Sequence, residues 1–279
     1  MHAIGWLFLR HGITLRVTNP PTSEEFSVTH YDPASYGRAV GGDYDSLYPA
    51  AGSDTAASVE LLVELARRHA DPSLLEFGIG TGRLALGIQQ QSVRVAGIDG
   101  SEHMVAQLRE KDGGERPRVA IGDYRTTKLD GETYAVVILV FNGIFDPRGR
   151  AAQLDIFRNA AHHLIPGGYF VVESWVMNDK QRNGDWSVVP RYVGENHVEL
   201  QLARYDIETN QIERTLVHLR PQGTDFVSVR DTYASPSELD LMADFTGFDR
   251  EFRFASWSRE PFDAGSSKCI AAYKLRAGE

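Results

Sequence analysis

A glycine-rich segment constrains the fold of this chain more than any other feature. The sequence Glu76-Phe77-Gly78-Ile79-Gly80-Thr81-Gly82-Arg83 follows a short apolar run and precedes an apolar helical segment. Glycine lets the backbone turn tightly and approach a ligand where any Cβ would block it. A dinucleotide-binding fingerprint needs its third glycine at position 83, which here is Arg83. The spacing is GxGxG, so we predict a strand, a tight turn and a helix that depart from the dinucleotide pattern.

Apolar segments of strand length alternate with helical segments through the first two thirds of the chain. The run from Tyr134 to Phe141 is continuously apolar and largely β-branched, as in strands buried on both faces of a parallel sheet. The segments predicted as strands are 74–77, 93–98, 119–121, 134–141 and 169–175, and Pro166-Gly167-Gly168 is predicted as a turn. This alternation predicts an α/β fold with a doubly wound, Rossmann-like sheet.

Residues 178–233 break the alternation. Val198, Leu200 and Leu202 alternate with polar residues, which indicates a half-buried antiparallel strand. We interpret this segment as a β insertion that either covers the substrate or forms the contact of a homodimer. The resulting organisation is a mobile leader (1–28), a lid segment with the cofactor-binding core (29–177), the insertion (178–233), and a C-terminal helix with two strands (234–279).

Two carboxylates follow neighbouring strands. Asp99 ends the second predicted strand, and Asp123 follows the third. The carboxyl ends of adjacent parallel strands are where open α/β sheets bind their ligands, and a carboxylate there can accept hydrogen bonds from ribose hydroxyls. We therefore expect both carboxylates at the same edge as the glycine turn.

Taken together, these segments resemble the class I S-adenosylmethionine-dependent methyltransferases over residues 71–177. The matching pieces, in order, are the glycine turn 76–82, Asp99 with Ser101 and Met104, Gly122-Asp123, the strand ending at Phe141, and Leu164-Ile165-Pro166-Gly167-Gly168. The resemblance implies a seven-stranded sheet that ends in two antiparallel strands, here 248–254 and 269–275. It implies S-adenosyl-L-methionine as cofactor and S-adenosyl-L-homocysteine as product.

The resemblance also implies which residues hold the cofactor. In that family the glycine turn wraps the methionine part, the acidic residue after strand two holds the ribose, and the Asp after strand three meets the adenine. The cofactor-binding residues expected here are Tyr36, Glu76, Gly78, Gly80, Gly82, Asp99, Gly100, Met104, Gly122, Asp123, Tyr124 and Phe141. A sulfonium is cationic, so carboxylate and aromatic neighbours would suit it.

A looser similarity, of architecture only, connects the chain to small-molecule methyltransferases of natural-product pathways, including amino-sugar N-methyltransferases. They share a tyrosine-rich N-terminal segment, here 36–48, and a β insertion after strand five. The similarity implies a small-molecule substrate in antibiotic-type biosynthesis. The expected substrate contacts are Tyr44, Tyr48, Asn142 and Trp175.

The sequence leaves the catalytic group open. Candidates are Asn142, Glu173, His197 and His218. An amine that arrives neutral needs no dedicated base. Because no catalytic group is identified, methylation of an oxygen atom stays an alternative. So do a nicotinamide-dependent dehydrogenase or epimerase, which Arg83 opposes, and a catalytically silent cofactor-binding protein.

Composition excludes several classes of partner. The net charge of −9 opposes binding to nucleic acid, and the apolar run 4–9 is too short to span a membrane or direct export. Cys269 is the lone cysteine, so no internal disulfide is expected, and no paired Cys/His spacing predicts zinc. We expect a cytoplasmic protein without a metal.

Overall fold

The computed structural model describes residues 53–177 and 186–277, which form a seven-stranded mixed sheet with flanking helices and a separate four-stranded sheet. The helices are α1 (Ser53–Ala66), α2 (Ala85–Gln90), α3 (Glu102–Glu110), α4 (Arg150–His163) and α5 (Pro236–Phe245). The strands of the large sheet are β1 (Ser73–Phe77), β2 (Arg94–Asp99), β3 (Arg118–Ile121), β4 (Tyr134–Leu139), β5 (Leu164–Trp175), β10 (Phe248–Phe254) and β11 (Lys268–Leu275). The small sheet contains β6 (Ser187–Val193), β7 (Val198–Asp206), β8 (Gln211–Arg220) and β9 (Gly223–Thr232).

The large sheet has the strand order β10-β11-β5-β4-β1-β2-β3. Strands β1 to β5 are parallel, whereas β11 is antiparallel to β5 and to β10. The chain builds outward from β1 to β3 and then returns to β4 on the other side of β1, so a topological switch point lies between β1 and β4. The predicted seven-stranded, doubly wound sheet is confirmed.

Alternate residues of the central strands pack into two apolar layers. Val137 and Leu139 of β4 face the layer that contains α4 and α5, while Val136 and Ile138 face the layer that contains α1, α2 and α3. All six residues of β4 are buried, because helices cover both faces of the sheet. This packing fixes the carboxyl ends of β1, β2 and β4 relative to one another.

The fifth strand begins earlier than predicted. Pro166-Gly167-Gly168 is not a turn between α4 and β5 but lies within β5. Gly167 has φ +77°, and the pairing of β4 with β5 shifts register between Tyr134 and Val136. The irregularity bends the strand without ending it, so the chain pairs again from Tyr169 onward.

The insertion is an antiparallel meander in the order β6-β7-β8-β9, and the predicted antiparallel insertion is confirmed. Strand β6 was not anticipated, because Pro190 and Arg191 interrupt its apolar alternation. A register shift between Pro190 and Tyr192 accommodates the proline. One end of the sheet joins the core through Tyr233, whose backbone N–H donates to Asn210 O at 2.8 Å and whose hydroxyl accepts the Met177 N–H at 3.1 Å.

None of the helices in 53–177 and 186–277 is long and apolar enough to cross a membrane.

Candidate active site at the carboxyl edge of the sheet

The glycine turn joins β1 to α2 and opens a concave surface at the switch point. Gly78, Gly80 and Gly82 all have positive φ, at +73°, +54° and +81°. A Cβ on Gly78 would meet nothing within 4 Å, whereas a Cβ on Gly82 would lie 2.3 Å from Leu108 Cδ1. Gly78 therefore leaves open space for a ligand, and Gly82 allows α3 to pack closely against the turn.

A cleft lies between this turn and the end of β4. Residues 76–81 and Arg83 form one wall, and the other consists of Tyr124, Leu139, Val140, Phe141 and Gly143. Arg83 donates to Thr55 Oγ1 at 2.8 Å, and its guanidinium lies 4.4 Å from the centre of the Phe141 ring. The residue that replaces the third dinucleotide glycine thus connects α1 to the rim of the cleft.

Glu76 is the buried acid of the cleft. Only 3% of the residue is exposed, and Oε2 has no hydrogen-bond partner in the part of the chain that the structure describes. Burial raises the pKa of Glu76 to about 8, against the opposing charge of Arg83. A buried carboxylate oxygen without a partner is costly unless a cationic or hydrogen-bond-donating group completes it.

Asp99 connects β2 to the glycine turn. Its Oδ2 accepts the Gly80 N–H at 2.7 Å, and its Oδ1 accepts the Ser101 N–H at 2.8 Å. Burial raises the pKa of Asp99 above its ordinary value, although both backbone hydrogen bonds act in the opposite direction. The carboxylate positions the turn, and each oxygen retains a lone pair for a further donor.

Met104 and Tyr124 lie at the edges of the same region. Met104 is buried, and its Cε would be 3.4 Å from a Cβ on Gly80. Its backbone N–H is capped by Ser101 Oγ at 3.3 Å, as the sequence predicted. The Tyr124 hydroxyl donates to Gly143 O at 3.0 Å, and its ring stacks on Phe77 with 5.9 Å between centroids. Gly100 and Gly122 follow β2 and β3 at this edge.

Asp123 lies in an ion-pair cluster. Its carboxylate accepts hydrogen bonds from the side chain of Arg148 and from the backbone N–H of Arg125. Burial raises the pKa of Asp123, but these bonds and the two positive charges outweigh it and hold the pKa below its ordinary value. Arg148 also binds the fully buried side chain of Asp146. Nothing in the sequence around Asp123 indicated Arg148 as its partner, because the pairing spans 25 residues.

The chain leaves β4 in an unusual backbone conformation. Phe141 and Asn142 have φ of +54° and +63°. Glu173 Oε2 accepts the Phe141 N–H at 3.1 Å, and Asn142 Oδ1 accepts the Trp175 N–H at 2.7 Å. Asn142, predicted as a substrate contact or a turn residue, therefore has its side-chain oxygen bound to the backbone of β5.

Glu173, a candidate base, is also held by other residues. Its Oε1 accepts from Trp257 Nε1 at 3.2 Å and lies 3.4 Å from Lys268 Nζ. Trp257 and Lys268 belong to the C-terminal part of the chain, so sequence reasoning missed both. The Trp175 ring packs beside Tyr233, with centroids 5.1 Å apart, where the insertion meets the core.

The two candidate histidines, His197 and His218, do not line this cleft. Glu199 and His218 pair across β7 and β8, and His197 precedes β7. Tyr36, Tyr44 and Tyr48 lie outside the described residues.

Comparisons with known proteins agree with this geometry. A family described as "Methyltransferase domain" matches residues 74–168. The structure of the CcbJ methyltransferase from Streptomyces caelestis is 30% identical, covers 88% of this chain and 100% of its own, and has a TM-score of 0.79.

Two curated relatives are similar over most of the chain. The dTDP-4-amino-2,3,4,6-tetradeoxy-D-glucose N,N-dimethyltransferase of Saccharopolyspora spinosa is 29% identical over 74% of this chain and 76% of its own length. The cypemycin N-terminal methyltransferase of a Streptomyces species is 25% identical over 71% of this chain and 81% of its own.

A switch-point cleft with a glycine turn and acidic residues at the carboxyl ends of β1 and β2, on this sheet, defines a class I methyltransferase. The chain belongs to the S-adenosylmethionine-dependent methyltransferases, within the group that resembles small-molecule N-methyltransferases. It is an enzyme that uses S-adenosylmethionine and releases S-adenosylhomocysteine.

The residues of the cleft fit that cofactor. Glu76 Oε2, which has no partner among residues 53–177 and 186–277, suits a cationic amino group, and the open space at Gly78 accepts a ligand that a side chain would exclude.

Proposed function

We propose that this enzyme methylates an amine nitrogen on a small natural-product intermediate, with an amino sugar as the leading class of substrate. One observation carries the proposal: one curated relative described above is named for N,N-dimethylation of a nucleotide-linked amino sugar, and the other for methylation at the N-terminus of cypemycin. Their similarity extends over more than two thirds of this chain.

The cofactor-binding residues of this proposal surround the glycine turn. Glu76 would pair with the amino group of the methionine part, and Gly78 would let that part approach the backbone. Asp99 would use its remaining lone pairs for the ribose hydroxyls, while Met104 would pack on the adenine. When bound, the cofactor would supply an electrophilic methyl group, whose bond to sulfur would break as the lone pair of the acceptor bonds to the methyl carbon.

Asp123 can bind the adenine only if its carboxylate can accept one more hydrogen bond. Its carboxylate is already bound by Arg148 and Arg125, so it would have to accept the adenine amino group on a lone pair that these bonds leave. We therefore place Asp123 at the adenine end as a shared acceptor.

The acceptor side of the cleft supports an amine. Glu173 is bound to Phe141, Trp257 and Lys268, and the oxygen of Asn142 is bound to Trp175. These contacts hold both side chains in place at the rim of the cleft. A neutral amine already presents its lone pair, so positioning and exclusion of water supply much of the rate.

The insertion keeps the two roles that the sequence proposed for it, a roof over the substrate or the contact of a homodimer. A contact of the second kind would use the exposed apolar side chains Val188, Tyr192, Val193 and Phe226.

A matched pair of substrates tests the proposal. The enzyme is incubated with S-adenosylmethionine and either a nucleotide-linked amino sugar or the same sugar with a hydroxyl in place of the amine. Mass spectrometry should show one or two added methyl groups on the amine and none on the hydroxyl compound, and Asp99→Ala should abolish the gain. Methylation of the hydroxyl compound alone would replace the proposal with O-methylation. If bound cofactor gave no product on any amine in a substrate panel, the proposed substrate class would be wrong.

A further inference from the structure

The four-stranded sheet contains a second group of ligand-type side chains, outside the cleft. His197, Glu199 and His218 each place one donor atom within 4.8 Å of the other two. His218 Nδ1 lies 3.3 Å from His197 Nε2 and 3.6 Å from Glu199 Oε2. Methyl transfer as derived above uses none of these atoms.

The strand register explains why the three side chains meet. Glu199 of β7 is the direct cross-strand partner of His218 of β8, so both side chains project from the same face. His197 lies directly before β7, and its ring stacks on the ring of His218 with 5.5 Å between centroids. The Gly194 N–H donates to His197 O at 2.8 Å and fixes the turn that carries this histidine.

Two of the three separations, 3.3 Å and 3.6 Å, match those of ligands around one small cation, and the third pair of donor atoms lies within 4.8 Å. Zn²⁺ binds His nitrogen and carboxylate oxygen at about 2.0–2.2 Å in tetrahedral sites, which places neighbouring ligand atoms roughly 3.3–3.6 Å apart. Two imidazoles with one carboxylate are a ligand set that Zn²⁺ uses, with water in the fourth position.

The surroundings restrict the three side chains. The side chain of His218 is 10% exposed and that of Glu199 is 15% exposed. The Tyr192 ring lies 5.4 Å from the His197 ring, which limits rotation of that imidazole. The ligand atoms are therefore held near their binding geometry by packing.

The group lies away from the junction between the small sheet and the core. Ile212 of β8 packs in the main core, and His218 follows six residues later, about 20 Å further along the strand. The group therefore lies toward the end of the small sheet that is remote from its junction with the core. An ion there would tie the turn between β6 and β7 to β8.

We propose that His197, Glu199 and His218 form a Zn²⁺ site in the insertion. Sequence reasoning expected no metal because it looked for paired Cys/His spacings. The signal is His-x-Glu at the start of β7 with a histidine opposite, and it becomes visible only through the register of β7 and β8. The proposal is independent of the identity of the methyl acceptor.

Calorimetric titration of the full-length, chelator-treated protein with Zn²⁺ tests the site. We expect one Zn²⁺ per chain with a Kd in the micromolar range or tighter, a higher Tm with Zn²⁺, and a visible spectrum of tetrahedral type when Co²⁺ replaces it. His218→Ala and Glu199→Gln should each weaken binding by about 100-fold or more. His162→Ala is the matched control, since His162 is an exposed histidine on α4, and it should bind as wild type does.

Each chelator-treated variant is first checked for wild-type circular dichroism and cofactor binding, so that misfolding is recognised. If His218→Ala does not fold, His197→Gln takes its place in the comparison. Zn²⁺ binding that survives loss of either histidine, or binding by the wild type only at millimolar concentrations, would overturn the proposal.

Discussion

Asn142 Oδ1 accepts the backbone N–H of Trp175 at 2.7 Å and so joins the end of β4 to the end of β5. The bond holds Asn142 at φ +63°, next to Phe141 at +54°. Left-handed conformations cost non-glycine residues about 1–3 kcal/mol and persist where neighbouring contacts determine them. Glu173 supplies the other contacts, accepting the Phe141 N–H through its side chain and the Asn142 N–H through its carbonyl. The rim of the cleft is therefore a strained segment held by β5.

Replacing Asn142 separates the strain from the hydrogen bond. Asn142→Ala loses the bond to Trp175 and places a less tolerant residue at positive φ, so we expect a loss of about 2 kcal/mol in the free energy of unfolding. Asn142→Gly loses the bond but relieves the strain, so its loss should be about 1 kcal/mol. Denaturant unfolding measures both. If the alanine variant were as stable as wild type, the hydrogen bond from Trp175 to Asn142 would contribute nothing to the free energy of unfolding.

Two glycines of the turn should respond differently to the same substitution. Gly78→Ala and Gly82→Ala both place a Cβ at positive φ, but only the Cβ at 82 collides with Leu108. We expect Gly82→Ala to be less stable than Gly78→Ala by about 1–3 kcal/mol, because overpacking adds to the backbone strain. Gly78→Ala should instead weaken cofactor binding beyond its effect on stability. Equal stabilities of the two variants in thermal unfolding would argue against the close packing of α3 on the turn.

Asp99 should affect the cofactor through the position of the turn. Asp99→Ala removes acceptors from the backbone N–H groups of Gly80 and Ser101, and we expect S-adenosylmethionine to bind at least about tenfold more weakly. Asp99→Asn retains one oxygen acceptor and should lie between alanine and wild type. Calorimetric titration gives both affinities. Wild-type affinity in the alanine variant would contradict the assignment of this edge as the cofactor site.

Burial of Glu76 predicts a stability that depends on pH. Its pKa is raised from 4.5 to about 8 by folding, so the unfolded chain loses this proton before the folded protein does. Ionisation of Glu76 therefore does not lower the free energy of unfolding below pH 4.5. The destabilisation grows from pH 4.5 to about pH 8 and is constant at higher pH.

Glu76→Gln, measured without cofactor, should lack this destabilisation. We expect it to be more stable than wild type by about 1–3 kcal/mol at pH 8, with the difference shrinking toward pH 5. Urea unfolding at the two pH values checks this, with the partly exposed Glu132→Gln as control. A difference that did not change with pH would show that Glu76 titrates normally.

The sequence predicted the large sheet well, because its strands are short apolar runs whose order follows from their alternation with helices. Pro166-Gly167-Gly168 was misjudged as a turn, since its residue types favour turns while the pairing of β4 with β5 tolerates an irregularity there. Strand β6 was missed because Pro190 masks its alternation, and only the neighbouring strand β7 shows that the segment is extended.

The site was predictable where its residues lie at strand ends. It was not predictable where side chains from segments unrelated by the strand pattern bind one another. The glycine turn, Glu76 and Asp99 lie at strand ends, so their proximity follows from the topology. The bonds from Asp123 to Arg148 and from Glu173 to Trp257 connect residues that no local pattern relates. These long-range bonds engage side chains that appeared available for substrate or proton transfer.

The central claim is that Glu76 binds the amino group of the methionine part of the cofactor. Titration calorimetry of S-adenosylmethionine into wild type and Glu76→Gln tests it most directly. Near pH 6 the wild type should release close to one proton per cofactor bound, and less as the pH approaches 8, because binding favours the ionised form of a group with a pKa of about 8. Glu76→Gln should release none and bind about tenfold or more weakly, since a charge-assisted bond is lost. Equal affinity and equal proton release in the two proteins would contradict the account.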